Sequence, residues 1–442
     1  MTTTMPSTAD VIVVGAGPGG AAAAAHLAQA GVDVLLLEKA AFPRDKICGD
    51  GLTPRACREL VALGLAAPQT QGWARNKGLR IVGAGQTFEL DWPGSAAFPD
   101  HGYVRDRMRL DETLARHAVD RGATLLERRS VTGPILEDGR VVGVTAKVLG
   151  EDGRATGAVE EFRAPVVIAA DGVSSRMGIR TGREKREDRP MGVAVRAYYE
   201  SELRSADDYM ESWLELWVPE DPTVDPAAMA DPATKKILLP GYGWLFPLGD
   251  GRVNVGLGML DTSPAFGHVD YKDIMRRWVA TLPPEWGISE QTRVGEIRGA
   301  ALPMAFNRQP LYADGLLLVG DAGGMVNPFN GEGIDYAMES GRHAAEIIVQ
   351  ALARPEGPDR ERVLRSYEQV MKASLGGYFT LGRGFAYLIG KPEVMRLAVK
   401  YGLPRRTLMR LLLKVMANLA DPHGRTAGDR LVKALSKVAP AA

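Results

Sequence analysis

The chain has 442 residues, 45% of them apolar and 7% aromatic, and its 54 basic and 54 acidic residues cancel to a formal net charge of zero. This is the profile of a packed globular protein of two or three domains, which excludes disordered and fibrous folds, and the charge balance excludes a broadly basic surface for nucleic acid. The two cysteines, Cys48 and Cys57, are too few for a disulfide framework and lack zinc-site spacing, so a reducing, cytoplasmic setting is expected.

The opening residues Met1 to Asp10 are polar, without the basic start and apolar centre of a secretory signal. No run reaches the roughly 20 apolar residues a helix needs to cross a bilayer. Val11 to Val14 reads as a buried strand, the glycines after it as a turn, the Ala21 to Ala25 run as a closely packing helix, and Val32 to Leu37 as a second strand. Strand, turn, helix and strand make a βαβ unit with a parallel sheet covered on both faces. Leu110 to Val119 is expected to be helical, and Val166 to Ala170 and Leu316 to Val319 to be buried strands ending in small or acidic residues. Three such strand ends suggest one composite ligand site. Gly78 to Trp92 and Met191 to Ala300 look strand-rich, with strands over Val193 to Tyr199, Trp213 to Val218 and Arg252 to Leu260 and a surface loop over Pro219 to Pro232. From about Asp359 onward the chain reads as helical and increasingly basic.

The first strand runs into Gly15-Ala16-Gly17-Pro18-Gly19-Gly20, a complete G-x-G-x-x-G in its required context, and the second ends at Glu38 and Lys39. Gly15 permits the tight turn, Gly17 lets backbone approach a pyrophosphate, Gly20 lets helix and strand pack, and the helix N-terminus favours the anion. Glu38 is placed to accept hydrogen bonds from an adenosine ribose. At this point the dinucleotide is open. The later Gly320-Asp321-Ala322-Gly323-Gly324 puts a carboxylate at a strand end, where it can bond the ribityl hydroxyls of a flavin, a chain that nicotinamide lacks. The following Asn327-Pro328-Phe329-Asn330-Gly331-Glu332-Gly333-Ile334 leads into a long helix whose first amides, with Pro328, Gly331, Gly333 and Ile334, would face the flavin pyrimidine.

With Asp171 and Gly172 between them, these segments resemble the para-hydroxybenzoate hydroxylase superfamily of FAD enzymes, and within it the geranylgeranyl reductase family. The loop Phe42-Pro43-Arg44-Asp45-Lys46-Ile47-Cys48-Gly49-Asp50-Gly51-Leu52 resembles the cysteine-glycine loop beside the flavin in those reductases, and Tyr242-Gly243-Trp244-Leu245-Phe246-Pro247 their lipid-lining Y-x-W-x-F-P motif. Asp50 departs from the archaeal form of the loop, which has a glycine there. The same loop, Asp91-Trp92-Pro93-Gly94 and Ala417-Asn418-Leu419 are most similar to the actinobacterial menaquinone reductases of that family. The resemblance implies an α/β fold: a Rossmann-type FAD-binding domain over 8–75, 100–185 and 300–358, an inserted strand-rich substrate domain over 76–99 and 186–299, and a C-terminal helical region over 359–442. It also implies that Arg107 contacts FAD phosphate, against the alternative of an exposed helix charge, and that Gly49 lies beside the ring.

The implied activity is saturation of one carbon–carbon double bond in a polyprenyl lipid, with menaquinone favoured. An isolated alkene accepts hydride only if a proton accompanies it, so the reaction needs a dry slot and an acid. Tyr242, Trp244 and Phe246 suit the slot, and Trp244 offers an electron-rich face to positive charge. Cys48, Tyr242 or water held by Tyr242 are the candidate acids, and Cys57 reads as packing. The six histidines show no ligand spacing, and no metal site is expected. NAD(P)H and a ferredoxin-like protein are both allowed as electron donor. Arg405, Arg406, Arg410 and Lys414 opposite Leu408, Leu411, Leu412, Val415 and Leu419 form a basic amphipathic helix, which fits either the inner face of the cell membrane or the protein's own core. The rival readings are reduction of another geranylgeranyl-chained lipid, flavin monooxygenase or halogenase activity, which shares the FAD segments, and a non-enzymatic prenyl-lipid carrier or sensor.

Overall fold

The structure, a computed structural model, describes residues 7–434 except 66–71, 84, 222, 226–227, 229–230, 232, 390, 392–393, 395–396, 403–404, 422–423, 425, 427, 431–433. Its first layer is a six-stranded sheet in the order Tyr312–Ala313, Leu316–Leu318, Val166–Ala169, Val11–Val14, Val34–Leu37, Thr124–Leu126, parallel apart from the first pair. The four-residue apolar strands are buried along their whole length because both faces are covered. Val11, Val13, Val34 and Leu36 face the helices, whereas Ile12, Val14, Leu35 and Leu37 face a three-stranded antiparallel sheet through Val131, Val141, Val144 and Phe162.

The alanine run of the first helix, Pro18–Gln29, brings it close to the long helix Ile334–Leu352. A Cβ on Gly341 would lie 2.4 Å from the Gly19 carbonyl oxygen, so small residues are what permit this approach. Both helices thereby aim their N-termini at the C-terminal edge of the parallel sheet.

A second sheet has seven strands in the order Arg293–Pro303, Met191–Glu200, Arg252–Leu260, Tyr242–Pro247, Tyr209–Trp213, Gly78–Gly83, Gln86–Asp91. One face packs on the helix Tyr271–Val279 around the fully buried Trp278. Two strand expectations are corrected. The strand expected over Trp213 to Val218 is two, since Leu214 N makes the last bond to Val82 O and Leu216–Pro219 then pairs with Lys236–Leu239 in a separate ribbon. The second Rossmann strand starts at Val34, because Val32 N closes the preceding helix on Leu27 O. Part of the expected loop over Pro219 to Pro232 lies outside the described residues, and Pro219 itself ends a strand.

The C-terminal region contains the helices Pro358–Met371, Gly377–Ile389 and Arg406–Met416. In the last, Met409 and Leu413, four residues apart, are the buried positions and pack with Ala417 and Leu419 against Leu90, Trp92 and Phe98. Of the expected apolar face, Leu412, Val415 and Leu419 do pack inward, whereas Leu408 lies exposed beside Arg405, Arg406 and Arg410. Among the described residues no helix is long and apolar enough to cross a membrane.

Candidate active site

The two sheets and the C-terminal helices enclose a cavity of about 880 Å³ that runs from the first glycine turn to the aromatic strand. That is near the upper end of the roughly 300–1,000 Å³ of ordinary ligand pockets. The three motif glycines have different surroundings. A Cβ on Gly15, where φ is +99°, would lie 2.4 Å from the Ala170 carbonyl oxygen, and one on Gly20 would lie 1.9 Å from that of Gly15. A Cβ on Gly17 would meet only Arg44 Nη2, at 4.0 Å, so this backbone is open to the cavity. Gly15 and Gly20 serve packing, and Gly17 leaves a cradle.

Glu38 is buried at the end of its strand, where Oε2 accepts from Ala16 N at 3.0 Å and Arg44 Nη2 at 3.2 Å. Lys39 beside it is exposed and lines the cavity. Arg107 is not an exposed helix charge. It is buried in the first turn of Arg107–Asp120, clamped on Asp111 by bonds of 2.6 and 2.9 Å, and it lines the cavity near Cys48. Asp171 keeps Oδ2 on Met177 N at 3.0 Å, while its buried Oδ1 has no partner among the described residues. Burial raises the pKa of both Asp171 and Asp321, the latter offset in part by Lys46 and Arg107. Gly172, Asp321, Pro328, Gly331, Gly333 and Ile334 line the same cavity, and Gly333 precedes the first turn of Ile334–Leu352.

The strand Tyr242–Pro247 alternates, placing Tyr242, Trp244 and Phe246 on one face and Gly243 against Trp278 on the other. Centroids of successive rings are 6.3 and 6.2 Å apart. Tyr242 and Trp244 stand opposite Gly258 and Gly256 of the neighbouring strand, where added Cβ atoms would approach the rings to 2.8 and 2.2 Å. The two glycines let the aromatic faces lie down across the sheet. Tyr242 donates from its hydroxyl to Asn330 O at 3.2 Å, and burial pushes it up to about 12, which keeps it protonated.

Gly49 lies against this aromatic row, and Cys48 before it lines the same cavity. A Cβ on Gly49 would come within 3.1 Å of Phe246 and 3.4 Å of Trp244 Nε1. Arg196 ties the loop down through Asp45 at 2.6 Å and the Lys46 carbonyl at 3.1 Å. Burial raises the Cys48 thiol above its usual range, so it is a protonated group at neutral pH. Cys57 is packed inside the helix Pro54–Ala62, its thiol pushed up to about 12 by burial.

Sequence reasoning missed Asn254, which accepts from Trp244 Nε1 at 3.0 Å and donates to the Cys48 carbonyl at 2.8 Å. It also missed Gly256 and Gly258, whose signal was two glycines inside an otherwise regular strand, a mark of close approach. The buried group of Thr53, Arg55, Glu332, Asp335 and Glu339 behind the Asn330 to Ile334 turn was missed as well. These residues are far apart in sequence.

An open glycine cradle, the two helix N-termini at its edge, an unpartnered Asp171 oxygen and a cavity that reaches an aromatic slot would fit FAD. The site is that of an FAD-dependent oxidoreductase acting on an apolar substrate. The family model described as FAD binding domain matches residues 8–239. The menaquinone reductase of Mycobacterium tuberculosis is 37% identical over 418 residues, covering 94% of this chain and 93% of that protein. A digeranylgeranylglycerophospholipid reductase of Methanopyrus kandleri is 32% identical over 391 residues, 87% of this chain and 91% of the other. A geranylgeranyl bacteriochlorophyll reductase-like protein of Thermoplasma acidophilum has the same fold, with TM-score 0.74 over 98% of this chain and 100% of that one at 24% identity. The chain belongs to the geranylgeranyl reductase family of FAD-dependent oxidoreductases.

Proposed function

We propose that the protein saturates one isoprene double bond in the tail of menaquinone. The carrying observation is that one cavity is lined by the glycine cradle, by Cys48 and Gly49, and by Tyr242, Trp244 and Phe246, with Gly49 packed against Phe246 and Trp244. Bound FAD, once reduced, supplies the hydride. The chain's own residues do the rest. Gly17, on the turn that Gly15 and Gly20 permit, would hold the adenine and phosphate half with Glu38, Lys39 and Arg107. Asp171, Gly172 and Asp321 hold the ribityl side, and Pro328, Gly331, Gly333 and Ile334 present backbone to the ring. The aromatic slot excludes water and places the alkene, and the Trp244 face stabilises positive charge on the more substituted carbon. Cys48 Sγ holds a proton beside it.

The tail enters from a membrane surface in this reading. Tyr387, Leu388, Tyr401 and Leu408 are large exposed apolar residues of the C-terminal region, and Lys391, Arg405, Arg406 and Arg410 are exposed cations near them in the chain. Apolar and cationic groups on one segment suit an anionic bilayer. NAD(P)H or a ferredoxin-like protein reduces the cofactor; anaerobic bleaching of the flavin by one and not the other decides between them. The relatives that act on archaeal ether lipids favour one second reading, a geranylgeranyl-chained lipid in the same slot.

Mass spectrometry of lipids from a menaquinone-producing host lacking this activity tests the proposal. Wild-type protein adds two daltons to menaquinone and Cys48→Ala does not. Unchanged menaquinone in cells whose protein carries FAD refutes the quinone assignment.

A further inference from the structure

The cysteine loop carries a second ionisable side chain. Asp50 is fully buried, in a left-handed conformation with φ +67°, an uncommon place for a residue with a side chain. Its Oδ2 accepts from Tyr198 Oη and Asn254 Nδ2, both at 2.7 Å, while the buried Oδ1 has no hydrogen-bond partner among the described residues. Asn254 Nδ2 also donates to the Cys48 carbonyl, and Asp50 N lies 3.4 Å from Cys48 Sγ. One asparagine thus ties Trp244 of the slot, the cysteine and this carboxyl into a single network. A buried carboxylate with one bare oxygen destabilises a fold. Such a group beside a reaction slot is a candidate for chemistry.

We propose that Asp50 is the acid that supplies the proton of the alkene reduction, passing it through the Cys48 thiol, which lines the same cavity as the slot. The proposal rests on the prenyl-reductase reading above. The Cys48 S–H bond breaks as the alkene π pair forms a C–H bond at the less substituted carbon. The more substituted carbon takes a hydride, with its two electrons, from the reduced flavin cofactor, so the alkene is reduced and the cofactor oxidised. The Asp50 O–H bond then breaks to restore the thiol, and the carboxylate regains its proton from water. Burial pushes Asp50 up to about 7 and the thiol above its usual range, so the second transfer runs downhill. The charged and titratable groups around Asp50 are Arg196 and Tyr198 of Met191–Glu200, Arg107 of Arg107–Asp120, Arg252 with its guanidinium 5.2 Å from the Tyr198 ring centre, and Cys48 and Asp45 of its own loop. Tyr198, Arg196 and Arg107 all favour the carboxylate left behind.

The test uses FAD-loaded, pre-reduced protein mixed anaerobically with menaquinone in detergent micelles, following flavin reoxidation and the two-dalton product from pH 5.5 to 9. Wild-type turnover falls about tenfold per pH unit above about pH 7, as loss of an essential acid dictates. Asp50→Asn keeps its FAD, loses at least about 100-fold in reoxidation rate, and its residual rate has no limb near pH 7. An Asp50→Asn protein within about threefold of wild type with the limb intact overturns the proposal. Should that variant lose FAD, Tyr198→Phe decides: removing the hydroxyl that favours the carboxylate moves the limb to higher pH, and an unmoved limb overturns the proposal. Wild-type protein that leaves menaquinone untouched overturns the quinone reading alone, and the same profiles are then run with a geranylgeranyl-chained lipid.

Discussion

Asp50→Asn also makes a prediction about stability that is independent of turnover. Burial lifts this carboxyl from 3.8 to about 7, with Tyr198, Asn254, Arg196 and Arg107 opposing the rise. A carboxyl raised in the folded state contributes stability that is complete below about pH 4 and is lost as pH climbs to about 7. Three pH units at about 1.4 kcal/mol each set an upper figure of roughly 4 kcal/mol, and water penetration and relaxation bring it to the order of 2–4 kcal/mol. Asparagine has the same shape, accepts left-handed backbone readily and never carries the charge. The variant therefore gains stability at pH 8 and none at pH 4. At about 1 °C per kcal/mol for a chain of 442 residues, its Tm at pH 8 lies about 2–4 °C above wild type, and the two curves converge towards pH 4. Calorimetry of both proteins across pH 4–8 measures this. Parallel curves, or a variant less stable at pH 8, would refute the raised carboxyl and with it much of the reason for assigning it a proton. A gain in stability with a loss of activity is the expected mark of a residue retained for chemistry.

Gly17→Ala and Gly20→Ala should separate ligand space from packing. The first adds a methyl with open surroundings, so the melting of the FAD-free protein stays within about 0.5 kcal/mol of wild type while FAD affinity drops at least about tenfold. The second drives a Cβ into the Gly15 carbonyl and costs about 3 kcal/mol or more with or without FAD, so equal apo-protein melting of the two variants contradicts the assignment. Arg55 is buried over the Tyr336 ring and pairs with Asp335 and Glu339. Arg55→Met leaves Asp335 without its cation, and Glu339 with only Arg58 and His343, and should cost about 3–5 kcal/mol in denaturant unfolding; a loss below about 1 kcal/mol contradicts the pairing. Reversing charge at Arg405, Arg406 and Arg410 should reduce flotation with anionic vesicles by at least about tenfold without changing Tm, whereas unchanged flotation removes the membrane surface from the reading.

The glycine turn, the parallel strands around it and the strand ends at Asp171 and Asp321 were legible in the sequence because each is local, whereas Tyr242, Trp244 and Phe246 stood out only through the resemblance to the family motif. A tight turn needs glycine, and a doubly covered strand needs an unbroken apolar run. Strand pairing was not legible. It set Gly256 and Gly258 opposite the slot rings and brought Asn254 under the cysteine loop across about 200 residues of chain. The edge of the last helix's inward face depended on which surface it met, so Met409 and Leu413 are buried with Leu419 while Leu408 of the expected face is exposed. Asp50 shows the division most clearly: the sequence presented only an acid where the archaeal loop has a glycine. Its burial, its bare oxygen and its raised pKa arise because Tyr198, Asn254 and the cysteine loop meet only when the two sheets close on each other.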